Sequence, residues 1–161
     1  MKIALQVLTI FLFSTTIVYG QLKDYHDDMG IVLMKKISLR QFIDELKISK
    51  GEIDEEAEFK HENKILIHRL HTSGQQDSSW ISDNDLEYLM TLIDSEDPAK
   101  CIIRSISSNK TQPQRTTLGD QAILLLYAYK ERLSFPHEFN ICGENAKFYK
   151  SDIIDWWRKR E

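Results

Sequence analysis

The stretch Thr116 to Pro136, TTLGDQAILLLYAYKERLSFP, limits the possible folds of this chain more than any other. Ala122 to Tyr129 is the longest apolar run after the N-terminus. Thr117, with Asp120 three residues later, has the spacing of a capping box, and an acid there complements the positive end of a helix dipole. An uninterrupted apolar run is too broad for one face of an amphipathic helix. It belongs to a helix surrounded by neighbours, or to a buried strand over Ile123 to Tyr129. The ends favour the helix. Lys130, Glu131 and Arg132 continue the segment with a basic C-terminal turn, and Pro136 forbids its extension while pushing Phe135 towards an extended backbone. The spacing predicts a central apolar helix over 116–133, about four turns long.

The first twenty residues, MKIALQVLTIFLFSTTIVYG, read as a secretory signal peptide. Lys2 forms a short positive region, an apolar stretch follows, and Val18-Tyr19-Gly20 suits cleavage before Gln21. An uncleaved membrane anchor is the competing reading, opposed by Gln6 and the Ser14-Thr15-Thr16 cluster. Removing residues 1–20 from the 161-residue chain leaves one ordinary domain over 21–161. Lys2 is the only charge lost, so 20 basic residues face 25 acidic ones, a net charge of −5. A mildly acidic chain without a basic block is a poor partner for nucleic acid or an anionic membrane surface. In an oxidising compartment Cys101 and Cys142, the only two cysteines, are expected to form a disulfide.

Further helices follow from local pattern. Ser38 and Gln41 form a second capping-box spacing before Leu39, Phe42, Ile43 and Leu46 at helical intervals. A helix from Phe59 to about Leu70 is expected after the acidic run Glu52–Glu58, although KILIHRL also suits a strand. His71 to Ser79, HTSGQQDSS, reads as a loop. Ser82 opens a helix with Leu86, Leu89, Met90 and Ile93 on one stripe. Asp97 and Pro98 then read as N-cap and first residue of a short helix carrying Ala99, Ile102, Ile103 and Ile106. A second loop, Ser107 to Arg115, contains the sequon Asn109-Lys110-Thr111. Gln21 to Gly30 reads as a loose lead-in. Ser151 is expected to cap a last helix bearing Ile153, Trp156 and Trp157. The sum is an all-α domain of about five helices packed as antiparallel hairpins around the central one.

Two resemblances accompany this reading. Leu86 to Ser107, LEYLMTLIDSEDPAKCIIRSIS, resembles one HEAT-type helical hairpin, with no second copy along the chain. The combination Thr117, Gly119, Asp120, Ala122, Trp156 and Trp157 is similar to small exported bacterial proteins of unknown function. That likeness implies an exported helical domain and no activity.

Chemistry is sparse. On a helix, His61, His68 and His71 approach one face and offer three imidazoles to zinc or copper, but their spacing is no established metal signature. His26-Asp27-Asp28 fits a solvated N-terminus, and Glu52–Glu58 lacks the alternating acids and glycine of a calcium loop. Asp120 and Glu131 stand about 16 Å apart along a helix, too far for paired carboxylates. Nucleophile-elbow, P-loop and dinucleotide patterns are absent. No catalytic, cofactor-binding or metal-ligating residue is therefore expected. The leading expectation is an exported, non-catalytic module that binds another protein, as an immunity or inhibitor protein does. Glu52–Glu58, the His71–Ser79 loop and the Trp80 neighbourhood are its candidate contact surfaces. The alternatives are a small apolar-ligand binder using Tyr127, Tyr129 and Phe135, and a metal-dependent hydrolase using the histidines.

Overall fold

The computed structural model describes residues 23–49, 68–104, 115–138, 140–143 and 145–160, and within them the all-α expectation fails. The elements run β1 (Val32–Leu33), a 3-10 turn (Met34–Lys36), α1 (Leu39–Leu46), β2 (Arg69–Ser73) and a second 3-10 turn (Ser78–Trp80). Then come α2 (Asp83–Leu92), β3 (Pro98–Ala99), β4 (Cys101–Arg104), β5 (Thr116–Thr117), α3 (Leu118–Lys130), β6 (Asn140–Ile141) and α4 (Ala146–Arg158). A mixed sheet has the order β1-β2-β4-β6, parallel across the first three strands and antiparallel at β6. β3 and β5 form a separate antiparallel pair. The signal segment, Glu52–Glu58, His61 and Asn109 lie outside the described residues. Among the described residues no helix is long and apolar enough to cross a membrane.

The helices with complete local signals form as expected. Ser38, Ser82 and Thr117 each cap a helix through a reciprocal box with Gln41, Asp85 and Asp120. Each box satisfies two backbone donors that a helix start otherwise leaves open. Leu39, Phe42, Ile43 and Leu46 are all buried, each contributing about 1.5–3 kcal/mol of transfer free energy. α3 is the central helix, with the successive residues Leu124, Leu125 and Leu126 all buried, so that it is covered on different sides. It packs against both α2 and α4.

The corrections share a cause: strands replace helices where apolar residues are few or buried on both faces. The short helix expected from Pro98 is β3 and β4, so the HEAT-like hairpin survives only in its first half. Pro98 opens a short edge strand paired to Thr117, a place that tolerates its missing N–H. Cys101, Ile102 and Ile103 are buried on both faces of β4. A doubly buried strand shows no polar alternation, and i, i+4 isoleucines imitate a helical stripe. Arg69 and Leu70, expected at a helix end, belong to β2, where Leu70 and Thr72 point inward and Arg69 and His71 outward. His71 to Ser79 is thus part strand and part 3-10 turn rather than one loop. The last helix starts at Ala146, which leaves Ser151 in its interior.

The N-terminal lead-in is also anchored. Tyr25 is buried, its hydroxyl donates to Glu45 Oε1 at 2.9 Å, and Lys23 Nζ approaches the same oxygen. Burial alone would raise the Glu45 pKa, but the hydrogen bonds from Lys23 and Tyr25 outweigh it and hold the group below its usual value. A depressed carboxylate pKa stabilises the fold at neutral pH, and that contribution disappears as pH falls through the folded pKa. Glu45→Gln should therefore lower the thermal midpoint at pH 7, while below the ordinary carboxylate range the two melting curves should converge. A gap between them that stays constant from pH 7 to pH 3 would contradict the assignment.

Candidate functional site

An open concavity forms where three element ends meet. α3 finishes at Lys130, and Leu133 N–H donates to Ala128 O at 2.8 Å while Arg132 N–H donates to Tyr129 O at 3.1 Å. This pair of bonds is a Schellman closure, which needs a left-handed residue after the helix. Arg132 takes that place with φ +55°. On the second side lies the 3-10 turn, held by Asp77, whose carboxylate accepts from Ser79 N–H at 2.9 Å and from the Ser79 hydroxyl. Those two bonds keep the Asp77 pKa low. The third side is the end of α4 and the turn beyond it, carrying Trp156 and Arg160.

Between these ends is a groove of about 470 Å³, lined by Ser78, Ser79, Tyr129, Arg132, Trp156 and Arg160, with Ile81 and Lys130 completing it. The Arg160 guanidinium lies 5.1 Å from the Trp156 ring centroid, 5.6 Å from that of Trp157 and 5.8 Å from that of Tyr129. Its Nη2 also donates to Asp83 Oδ1 at 2.8 Å. Lys130 pairs with Asp152 and, at 3.0 Å, with Glu131, and these two hydrogen bonds raise its pKa and keep it charged. Arg132 is exposed and, among the described residues, has no ion-pair partner. A lining of cations, aromatic faces and hydroxyls recognises anionic and aromatic groups. Comparison with family models, with curated proteins and with solved structures returns no match. The site must be read from its own geometry.

The residues singled out from sequence mostly serve the fold. Cys101 and Cys142 stand at disulfide distance, with Cα atoms 4.6 Å apart. Ile102 faces Ile141 across β4 and β6, and extending that register by one pair puts Cys101 opposite Cys142. His71 lies on β2 and His68 just before it, so they share no helical face, and residues three apart on a strand project to opposite sides. Among the described residues no group of three or more His, Cys, Asp or Glu could hold a metal. His26 Nε2 is 3.7 Å from Glu45, and Asp120 caps α3.

Trp80 donates its indole N–H to Ile37 O at 2.9 Å and packs edge-on against Phe42. Tyr127 stacks on Tyr149 at 3.9 Å, and Phe135 is buried against Phe42. Of the three aromatics considered for an apolar pocket, only Tyr129 reaches the groove. A second cavity of about 70 Å³, beside His137 and Tyr149, has room for water alone.

Arg132, Arg160, Ser78 and Ser79 carry no motif. One signal was present: the chain from Lys130 to Pro136 ends a helix without a glycine, so a left-handed closure there has to use a residue with a side chain. The residues of the exported-protein likeness divide in the same way. Thr117 and Asp120 form the cap, Gly119 lets α3 approach α2, and Ala122 is buried. Trp156 alone among them lines the groove.

Proposed function

We propose that the protein is an exported α/β domain that works by binding another protein, without catalysis, and that the groove between α3, α4 and the Ser78–Trp80 turn is its contact surface. The observation carrying this reading is the meeting of Trp156, Tyr129, Arg160 and Arg132 around one open groove. Trp, Tyr and Arg are the residue types that dominate binding hot spots, because each joins a large desolvated surface to a polar handle. Here they are held by the ends of two packed helices rather than by a free loop. The cysteine pair at disulfide distance supports the exported reading. An inhibitor or immunity protein is one concrete form of such a module.

An apolar small ligand suits this lining less well, since Lys130, Arg132 and Arg160 would lose hydration without gaining partners. The test is a pull-down with tagged residues 21–161 against the native exported fraction, identified by mass spectrometry. One partner should be recovered in near-equal amount. Trp156→Ala, confirmed folded by its melting curve, should weaken its capture about thirtyfold, as expected for a hot spot of about 2 kcal/mol. An empty lane counts against the protein-binding reading, and unchanged capture by the variant moves the contact surface away from this groove.

A further inference from the structure

We infer that the occupant of this groove presents a carboxylate, and that Arg132 is the residue that receives it. The inference rests on the protein-binding reading above and supplies the chemistry of the partner's contact.

The first support is the position of Arg132 in the backbone. With φ +55° it fills the left-handed place of the Schellman closure, where glycine is the residue without a Cβ penalty. Any other L-residue is strained there. Strain of this kind is tolerated where a side chain is needed for a purpose other than stability. The fold makes no visible use of this side chain: it is exposed and, among the described residues, has no ion pair.

The second support is charge. Three cations line the groove and no carboxylate does. Lys130 is already matched by Asp152 and Glu131, and Arg160 by Asp83. Arg132 is the one of these three cations that has no acidic partner among the described residues. A guanidinium without an acidic partner attracts an acid and discriminates against bases. Guanidinium offers two parallel donors that match a carboxylate fork. The Trp156 and Tyr129 rings line the same groove and add aromatic faces to it. Ser78, half-buried on the facing wall, adds a hydroxyl to the same space.

Three probes identify the source of the carboxylate, an acidic side chain or a chain terminus. These are acetyl-Ala-Tyr-Glu-Tyr-Ala-amide, its Gln isostere as the amide, and the Gln isostere with a free C-terminus. Each is titrated into the ¹⁵N-labelled domain of residues 21–161. Saturable shifts are expected at Ser79, at Tyr129 to Leu133 and at the Trp156 indole with at least one acid, and at least tenfold weaker binding with the neutral amide. Whichever acid binds names the source. The decisive variant is Arg132→Gly. It should melt about 2–4 °C higher, because the left-handed strain is relieved, and should lose the acid's binding at least tenfold.

Opposite signs on stability and binding are what a purely structural arginine does not give. Equal binding of all three probes, no saturable shift with either acid, or a lower melting temperature for Arg132→Gly would each overturn the inference. A recovered partner that Arg132→Gly holds at native strength removes the carboxylate contact and leaves the protein-binding reading standing. An empty pull-down with the acid shifts intact does the reverse.

Discussion

Gly119→Ala is expected to destabilise the domain by about 2–3 kcal/mol, although alanine is the better helix former. Gly119 is the second residue of α3, and a Cβ built there would stand 2.6 Å from Ser95 O, 3.1 Å from Ile93 O and 3.2 Å from Leu92 O. All three are backbone atoms at the end of α2, so no side chain can swing aside. The close approach has a purpose. Leu118 N–H donates to Asp97 O at 2.9 Å and Gly119 N–H to Ser95 O at 3.2 Å, so open donors of one helix start meet carbonyls of the segment that follows α2. Alanine must push α3 away from α2 and lose these bonds. Propensity alone would instead stabilise by about 0.5–1 kcal/mol, so the two effects have opposite signs. Urea unfolding decides between them: a midpoint equal to or above that of the native chain means the helices do not meet at Gly119.

That contact also shows which parts of the fold were legible in the sequence. The capping boxes at Ser38, Ser82 and Thr117 were readable because their partners lie three residues away, within one turn of chain. The sheet was not. β1, β3, β5 and β6 are two residues each, too short for any periodicity. β2 hides its alternation because one of its inward residues is Thr72 rather than a hydrocarbon. Gln121 is a further case: just before the run read as apolar, it is fully buried, with its amide nitrogen 3.3 Å from Ile141 O and 3.4 Å from Lys100 O and Thr116 Oγ1. It ties the central helix to β5, to β6 and to the link between β3 and β4, and no local pattern announces such a role.

The candidate site was illegible for a related reason. Arg132 and Arg160 sit at helix ends, where a basic residue is already explained by the helix dipole. Only the packing of α4 on α3 brings Trp156 and Arg160 beside Tyr129. The histidine cluster drew attention because its members are close in sequence. Once β2 replaces the expected helix, His68 and His71 no longer share a face.

Replacing both Cys101 and Cys142 by alanine should cost the domain about 4 kcal/mol, the largest effect expected of any change outside the apolar core. The residues are 41 apart in sequence, and closing a loop of that length removes about 4 kcal/mol of unfolded-chain entropy. The loop contains all of α3, so the bond ties both sides of the central helix to the β4–β6 edge. β6 has only two residues, and a strand so short frays without a covalent or packed anchor. Amides of Ile102, Ile103 and Ile141 should therefore exchange much faster in the double variant. The helix capped by Ser38 should be less affected, being far from the loop in sequence. Against a total stability of typically 5–15 kcal/mol, such a loss leaves the reduced chain marginal in a reducing compartment. Thiol labelling of the unreduced, denatured chain provides the prior check, since a bonded pair offers no reactive thiol. Two labelled cysteines, or a double variant with an unchanged urea midpoint, would show that the pair does not hold the fold and would remove the strongest physical support for export.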